Sequence, residues 1–412
     1  MKIQATRRNF IRGIGIISSL SFVSKKAIAA DLIKPQTPNY FQELGVEPFI
    51  NAIGPYSSLG GAKMWSEVIE EMDYAIRNKA KMSDLHDAVG IRIANLLDAE
   101  AAMVTSGATG AIILGTAACM TLGDSKKNEL LPNTSNMRNE VIILKDQRYL
   151  YDRSIRAPGA KLIQIDNLNE LPRAINKKTA MCFYLLNRPD DKNIDIDTYI
   201  NIAKKYQIPI MCDAATTVPP VKRIHNTVNR GFDLICYSGG KGLRGPYSAG
   251  LLLGRKDLIS YARQHSSPNH RAYGRSMKVA PEEYLGMMVA VETSLKFNED
   301  KEYLRQSAIV KSMAHQVTEI AGTHVTLHEP NDEAREPYLE VNWDERYQIT
   351  PAQLKMELRN NKPSIEIRAL FLSDGKIHIT ATMLNKNESL VVTSSIKRIL
   401  QNHALKNNGS EP

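Results

Sequence analysis

One lysine lies among glycines directly after an apolar run, in the stretch Cys236 to Gly250 that reads CYSGGKGLRGPYSAG. A glycine-lined pocket and a neighbouring cation such as Arg244 would favour the neutral amine of Lys241, which suits Schiff-base chemistry with a carbonyl compound. Ser238, three residues earlier, can reach a phosphate oxygen. The alternative for Lys241 is an ordinary loop lysine.

A carboxylate closes a second apolar run. Residues 208–215 read IPIMCDAA, and Asp213 stands where we expect a buried strand to end. Open α/β sheets bind ligands at the carboxyl ends of their strands, and an ionised carboxylate buried there needs a cationic partner. A helix N-cap or a structural ion pair is the alternative role for Asp213.

A turn of small residues follows a third apolar run. Residues 104–111 read VTSGATGA and lead into an apolar helical run at 112–122. The backbone N–H groups at a helix N-terminus lack intrahelical partners and suit a phosphate dianion. The residues of this turn are Ser106, Gly107, Ala108 and Thr109. An ordinary glycine-rich turn from strand to helix explains the same letters, and a Walker loop is excluded because no Gly-Lys-Ser/Thr follows.

Together the three motifs supply what a protein contributes to a pyridoxal 5′-phosphate (PLP) site. The turn would hold the phosphate, and Asp213 would pair with the protonated ring nitrogen. Lys241 would form the Schiff base and move the Cα proton of a substrate. Ser238 and Ala215 complete the predicted cofactor-binding set.

Seven short apolar runs must position these residues. Segments with helical periodicity, such as 196–206, separate the runs and predict a mostly parallel sheet covered by helices, which is an α/β domain. The runs are 101–105, 141–144, 161–165, 180–186, 208–212, 234–237 and 248–253.

The pattern changes after Pro281. Residues 282–320 carry apolar side chains at helical spacing and predict one long helix. Strand-like runs follow at 326–327, 338–341, 365–369 and 376–380, with a terminal helix at 388–401. We therefore expect a large domain at 31–295, including an N-terminal arm, and a smaller α+β C-terminal domain at 296–412.

In this order, the motifs resemble the selenocysteine synthase (seryl-tRNA selenium transferase) superfamily of PLP enzymes. The resemblance spans about residues 45–300 and is closest to the branch of shorter proteins that includes D-glucosaminate-6-phosphate ammonia-lyase. The segments are INAIG at 50–54, VTSGATGA at 104–111, DAA at 213–215, SGGKGLRGP at 238–246, LLGRKDL at 252–258 and GRSMK at 274–278.

The resemblance implies an aspartate aminotransferase-like (fold type I) architecture, with a large domain around a mostly parallel seven-stranded sheet. It also implies at least a homodimer whose active sites lie at the subunit boundary, with Arg244 and Arg275 near the phosphate or the substrate. Arg368 lies in the region where such enzymes often place a guanidinium for the substrate carboxylate, and a surface strand residue is the alternative.

One position departs from the resembled branch, whose members carry His-Arg where this chain has Gln147 and Arg148. The resemblance implies that in the branch this histidine stacks over the cofactor ring. Gln147 cannot stack as an aromatic ring does. Either another group covers that face of the ring, or the reaction specificity differs.

The first thirty residues resemble a twin-arginine export signal, since TRRNFIR at 6–12 precedes an apolar run at 14–23 and AIA at 27–29. A membrane-spanning helix needs about 20 apolar residues, so this run is too short to span a bilayer. We expect contact with the twin-arginine translocase, removal of residues 1–30, and a periplasmic protein without stable membrane association. A basic amphipathic helix is the alternative.

The composition excludes two other classes of function. The six lysines and arginines of residues 1–30 account for most of the net charge of +9 and leave about +3, so the charge predicts no nucleic-acid partner. Three of the four cysteines lie in apolar runs and none has metal-ligand spacing, so we expect buried thiols. The nine histidines are scattered, which predicts no metal site.

These features predict a PLP-dependent lyase that performs α,β-elimination, of the ammonia-lyase or dehydratase type, on an amino acid or amino-sugar acid through a Schiff base on Lys241. A PLP-dependent racemase or aldolase needs the same lysine and stays open. Selenium or sulfur transfer to aminoacyl-tRNA is disfavoured because an exported enzyme would not meet charged tRNA. A non-catalytic binding protein is the last alternative, and the presence of both Lys241 and Asp213 argues against it.

Overall fold

A computed structural model describes residues 39–186, 194–330, 336–369 and 375–405. The predicted export signal at 1–30 therefore lies outside the described residues. The chain divides into two compact units, residues 1–48 and 49–412. The described part of the first unit contains only helix α1 and short flanking segments.

The described chain alternates helices and strands over most of its length. The strands are β1 Phe49–Asn51, β2 Ala101–Thr105, β3 Glu140–Leu144, β4 Lys161–Ile165, β5 Thr179–Leu185, β6 Ile210–Asp213, β7 Leu234–Ser238, β8 Gly250–Gly254, β9 Thr323–His328, β10 Tyr338–Trp343, β11 Ser364–Glu366, β12 Arg368–Ala369 and β13 Ile377–Thr380. The helices are α1 Tyr40–Glu43, α2 Ser66–Arg77, α3 Met82–Leu96, α4 Gly107–Thr121, α5 Ser125–Leu130, α6 Arg153–Arg156, α7 Leu171–Ala174, α8 Ile196–Lys205, α9 Lys222–Asn229, α10 Lys256–Gln264, α11 Pro281–Lys296, α12 Glu299–Thr318, α13 Pro351–Arg359 and α14 Lys386–Asn402.

Seven strands form one sheet in the order β2-β8-β7-β6-β5-β3-β4, and only β8 runs antiparallel to its neighbours. All seven predicted runs are strands of this sheet, with ends that differ by at most two residues. Hydrophobic side chains on successive residues pack on opposite faces, as the pleat requires. In β3, Ile142 packs in the core on one face and Val141 and Ile143 pack in the core on the other. Helices cover both faces, so the predicted mostly parallel α/β sheet is confirmed.

A second hydrophobic core lies in the C-terminal part of the chain. Helices α12, α13 and α14 pack with the antiparallel sheet β12-β13-β10-β9 and with the parallel pair β1-β11. Strand β1 comes from the start of the second unit, yet Ile50 and Ala52 are buried in this core. The predicted domain boundaries at 30 and 295 stay predictions.

The single long helix predicted at 282–320 is wrong, because two helices occupy this stretch. Helix α11 ends before Phe297, which is extended, and Asn298 starts α12 by accepting a hydrogen bond from the backbone N–H of Lys301 at 2.8 Å. Asparagine is a strong N-cap residue, so it interrupts an otherwise continuous helical pattern. None of the helices in the described ranges is long and apolar enough to cross a membrane.

Candidate active site

Strand register brings the three predicted motifs to one edge of the central sheet. Gly250 in β8 pairs with Thr105 at the end of β2 on one side and with Ser238 at the end of β7 on the other. In the next strand, Asp213 at the end of β6 pairs with Cys236 of β7. The glycine turn, the lysine turn and the carboxylate therefore follow the carboxyl ends of β2, β7 and β6, where sheets of this kind bind ligands.

The N-terminus of α4 forms a cradle for an anion. Gly107 begins the helix with φ +68°, and the N-cap residue Ser106 makes no capping hydrogen bond with its side chain. The first-turn N–H groups of an α-helix lack intrahelical partners and carry the positive end of its dipole. A β-carbon on Gly250 would lie 2.4 Å from the carbonyl carbon of Gly107 and 2.7 Å from the nitrogen of Ala108, so a side chain there would displace the backbone that forms the cradle.

Asp213 is a buried carboxylate, 4% exposed, that accepts three hydrogen bonds. The donors are the Tyr149 hydroxyl at 2.5 Å, the Ala215 backbone N–H at 2.9 Å and the Cys236 thiol at 3.5 Å. Burial and the Asp213 charge raise the pKa of the Cys236 thiol well above its ordinary value, so the thiol stays protonated and can donate. None of the three donors is a cation, and no described residue forms an ion pair with Asp213.

The turn that carries Lys241 is packed backbone against backbone. A β-carbon on Gly242 would lie 2.1 Å from the carbonyl oxygen of Val218, so only glycine fits next to the lysine. The backbone N–H of Ala62 donates to the Gly240 carbonyl at 2.7 Å on the other side. Lys241 is half-buried at this turn, and these contacts fix the backbone from which its side chain extends.

The residues at this edge fit PLP. The α4 cradle suits the phosphate dianion, and Lys241 would supply the amine for a Schiff base. A carboxylate has about four acceptor positions, of which three are used at Asp213 by donors without a positive charge, so one position remains for a protonated ring nitrogen. Ser238 ends β7 directly before the lysine turn, and Ala215 is half-buried beside Asp213.

The three predicted substrate arginines lie in different surroundings. The Arg244 guanidinium lies 3.6 Å from the centre of the Trp65 ring, and its Nε donates to the Lys63 carbonyl at 2.8 Å. Both partners belong to the protein itself, so the guanidinium of Arg244 has a cation–π contact and a hydrogen bond without a ligand. Arg244 also has a backbone φ of +52°, a strained conformation for a residue with a β-carbon.

Arg275 and Arg368 occupy two other elements. Nη1 of Arg275 lies 3.5 Å from the Ser267 hydroxyl in the loop before α11. Arg368 lies on β12, with its guanidinium 6.0 Å from the centre of the Tyr56 ring. Roles for all three arginines in binding the phosphate or the substrate stay predictions.

Gln147 follows β3 and is 1% exposed. Its Nε2 donates to the Leu185 carbonyl at 3.3 Å, and the Leu185 N–H donates to its Oε1 at 3.1 Å. The side chain therefore extends the hydrogen bonding of β5. The aromatic residue of this loop that reaches Asp213 is Tyr149, which the motif spacing did not reveal.

The four cysteines are buried thiols that form no disulfide, as expected, and all four lie among the described residues. Within those same ranges, no group of three or more His, Cys, Asp or Glu side chains could hold a metal ion.

The chain is similar to curated proteins with different reactions, and to two of them over most of its length. It is 25% identical over 386 residues to D-glucosaminate-6-phosphate ammonia lyase from Salmonella typhimurium, covering 89% of this chain and 100% of the relative. It is 27% identical over 378 residues to 5′-C-glycyluridine monooxygenase-decarboxylase from a Streptomyces species, covering 88% and 92%. An L-seryl-tRNA(Sec) selenium transferase from Mannheimia succiniciproducens is 27% identical over 178 residues, covering 36% and 37%. No protein-family model matches the chain.

Solved structures share the fold. A structure of D-glucosaminate-6-phosphate ammonia-lyase superposes with a TM-score of 0.79 at 24% identity, covering 89% of this chain and 100% of that one. SPT with a PLP internal aldimine has a TM-score of 0.55 at 11% identity, covering 86% and 88%. The predicted fold type I architecture is therefore confirmed, as is the predicted resemblance to the selenocysteine synthase superfamily and its ammonia-lyase branch.

Proposed function

We propose that this protein is a PLP-dependent lyase that eliminates a β-substituent from an amino acid or an amino-sugar acid. The observation that carries the proposal is the convergence of the α4 cradle, Asp213 and the Lys241 turn at one sheet edge. The similarity to an ammonia lyase over nearly the whole chain supports the same reaction class.

PLP bound at this edge supplies an electron sink for the pair released when the Cα–H bond of an amino acid breaks. The residues of the chain bind the cofactor and move the proton. The N–H groups of the α4 first turn bind the phosphate, and the Asp213 carboxylate holds the proton on the ring nitrogen. Lys241 Nζ takes the Cα proton as a general base.

The overall change is that of a 2-amino-3-hydroxy acid into a 2-oxo acid and ammonia. The Cα proton and the Cβ hydroxyl leave, and water later releases the amino group as ammonia. Arg275 and Arg368 are the candidates to bind the substrate carboxylate, because a guanidinium can bind it with two hydrogen bonds.

The absorption spectrum of the purified protein tests the cofactor directly. We expect wild type with added PLP to absorb in the visible range and borohydride to attach the cofactor covalently at Lys241. Lys241→Ala should show neither the wild-type absorption nor the covalent product. A wild type that stays colourless with PLP contradicts the proposal.

A panel of amino acids and amino-sugar acids tests the reaction. We expect 2-oxo acid and ammonia to appear in equal amounts from at least one 2-amino-3-hydroxy acid. Inversion at Cα as the only change would indicate a racemase, and an aldehyde product would indicate an aldolase. Either result would overturn the proposal of elimination.

Oxidative decarboxylation is a second candidate, because the monooxygenase-decarboxylase relative is as similar in sequence as the lyase relative. If the Cα–carboxylate bond breaks in place of Cα–H, the site would release CO₂, and dioxygen would be the oxidant that accepts electrons from the remaining fragment of the amino acid. Oxygen consumption and CO₂ release by a substrate that gives no ammonia would favour this candidate over elimination.

We also propose that the protein is exported by the twin-arginine route and acts as a homodimer in the periplasm. The TRRNFIR motif and the apolar run after it support export. Cell fractionation of wild type and of a variant with Arg7 and Arg8 replaced by lysine tests this, and equal periplasmic recovery of both contradicts it. Light scattering of the purified protein tests the dimer.

A further inference from the structure

Tyr149 links the loop after β3 to the carboxylate at the end of β6. Its hydroxyl donates to Oδ2 of Asp213 at 2.5 Å, and its ring lies nearly parallel to Phe183 of β5, with centroids 6.3 Å apart and an interplanar angle of 21°. Burial, together with the Asp213 charge, raises the pKa of Tyr149 far above its ordinary value. The hydroxyl therefore stays protonated and remains a donor to Asp213.

The loop that carries Tyr149 is anchored on both sides. Gln147 binds both backbone groups of Leu185, the residue that pairs with Asp213 in the sheet. The Tyr149 backbone N–H donates to the buried carboxylate of Asp152 at 3.3 Å, and Arg148 Nε donates to the same oxygen. The tyrosine hydroxyl is thus held against Asp213 by the backbone of β5 and by a second carboxylate.

We propose that Tyr149 is a positioning residue for the cofactor, which orients the Asp213 carboxylate so that its remaining acceptor position faces the ring nitrogen. Gln147 acts indirectly, because it holds the loop that carries Tyr149 on Leu185. The inference rests on the proposed function, because it concerns the same PLP site, and it gives Gln147 a role other than stacking on the ring.

The three donors to Asp213 bind different oxygens of its carboxylate. Ala215 and Cys236 donate to Oδ1, and Tyr149 donates to Oδ2. A neutral hydroxyl orients the carboxylate without neutralising it, so the negative charge remains for a protonated ring nitrogen. Without the hydroxyl, the carboxylate loses the one protein donor on Oδ2 among the described residues, and rotation of its oxygens is less restricted.

Tyr149→Phe tests the proposal, with Tyr151→Phe as the matched control. Tyr151 lies edge-on to Tyr149 and is 51% exposed, so its variant also removes one phenol hydroxyl next to the site. The readouts are the dissociation constant of PLP, from titration of the visible absorption, and the pH dependence of the spectrum of the loaded protein. Thermal melts of both variants report folding.

We expect Tyr149→Phe to bind PLP about tenfold more weakly, because the Asp213 carboxylate is then no longer held in place beforehand and must be ordered when the ring nitrogen binds. The pH midpoint of its spectral change should move away from the wild-type value, and Tyr151→Phe should match wild type in both readouts. Unchanged affinity and an unchanged midpoint in Tyr149→Phe would overturn the proposal. Tighter PLP binding would also overturn it, since the hydroxyl would then compete with the ring nitrogen.

A second variant separates the anchor from the donor. Gln147→Leu should weaken PLP binding in the same direction, and the double variant should lose no more than about the larger single effect, because both act through one hydrogen bond. Additive losses would overturn the role of Gln147. Wild type that fails to bind PLP would overturn the proposed function together with this inference, whereas PLP binding that Tyr149→Phe leaves intact would overturn this inference alone.

Discussion

The imidazole of His86 in α3 stacks on the phenol ring of Tyr284 in α11, with ring centroids 4.3 Å apart and an interplanar angle of 20°. The histidine is 2% exposed. Burial, and to a lesser degree the charge of Arg263, lowers its pKa from 6.5 to about 3. The folded protein therefore keeps this histidine neutral at a pH where the unfolded chain protonates it.

The sign of the pH effect follows from this difference. Between pH 6.5 and 3 the unfolded state binds a proton at His86 that the folded state does not, so stability is complete above pH 6.5 and falls as the pH drops. The loss is at most about 1.4 kcal/mol per pH unit.

His86→Phe keeps a ring against Tyr284 and removes the proton site, so its apparent Tm should fall less between pH 6.5 and 4.5 than that of wild type. The exposed His315→Ala is the control, and parallel curves for wild type and His86→Phe would contradict the assignment.

The close approach of Gly250 to the α4 cradle predicts the effect of one methyl group. Gly250→Ala places a β-carbon 2.4 Å from Gly107, so the start of α4 or of β8 must shift. We expect at least tenfold weaker PLP binding, with a stability loss of about 1–3 kcal/mol from overpacking. Gly375→Ala adds a β-carbon where no atom of the described residues lies within 4 Å; its φ of +64° strains an alanine, but the variant should leave PLP binding unchanged. Equal PLP affinity in the two variants would contradict the cradle.

The charge of Asp213 predicts a separate change at the other end of the cofactor. Asp213→Asn keeps the shape of the side chain and removes the charge that would balance the protonated ring nitrogen. Because this charge makes the ring an electron sink, we expect kcat of the elimination to fall by about a hundredfold or more, while the Schiff base on Lys241 still forms. Absorption spectra and steady-state rates separate the two effects, and wild-type turnover in Asp213→Asn would exclude the proposed role.

Local sequence patterns predicted most of the large domain. Short apolar runs bounded by glycine, proline or aspartate mark strands such as β3, because a strand buried on both faces is apolar at every position. The placement of Asp213 and of the lysine turn at one sheet edge followed because they come at or shortly after the ends of such runs. A single sequence therefore places residues at strand ends, while the roles of these residues stay predictions.

Long-range contacts and one local cap explain what the sequence did not reveal. The pairing of β1 with β11 joins residues more than three hundred positions apart, and no local pattern specifies that register. The break at Asn298 depends on one capping side chain within a continuous helical pattern. Tyr149 contacts Asp213 from a loop that Gln147 binds to β5, and the letters of that loop carry no spacing typical of a site.

The position of Arg368 predicts where the substrate carboxylate binds. Its guanidinium lies over Tyr56, and the Tyr56 carbonyl accepts from the Gly61 N–H at 2.9 Å, one residue before Ala62 binds Gly240 beside Lys241. A short segment thus connects the arginine on β12 to the lysine turn.

Because only a guanidinium binds a carboxylate with two parallel hydrogen bonds, Arg368→Lys should raise KM about tenfold, and Arg368→Ala should lower kcat/KM about a hundredfold. The PLP spectrum should not change in either variant. Arg346→Ala removes an exposed arginine paired with Asp344 and serves as the control. Wild-type KM in both Arg368 variants would move the carboxylate site away from β12 and leave Arg275 as the next residue to replace.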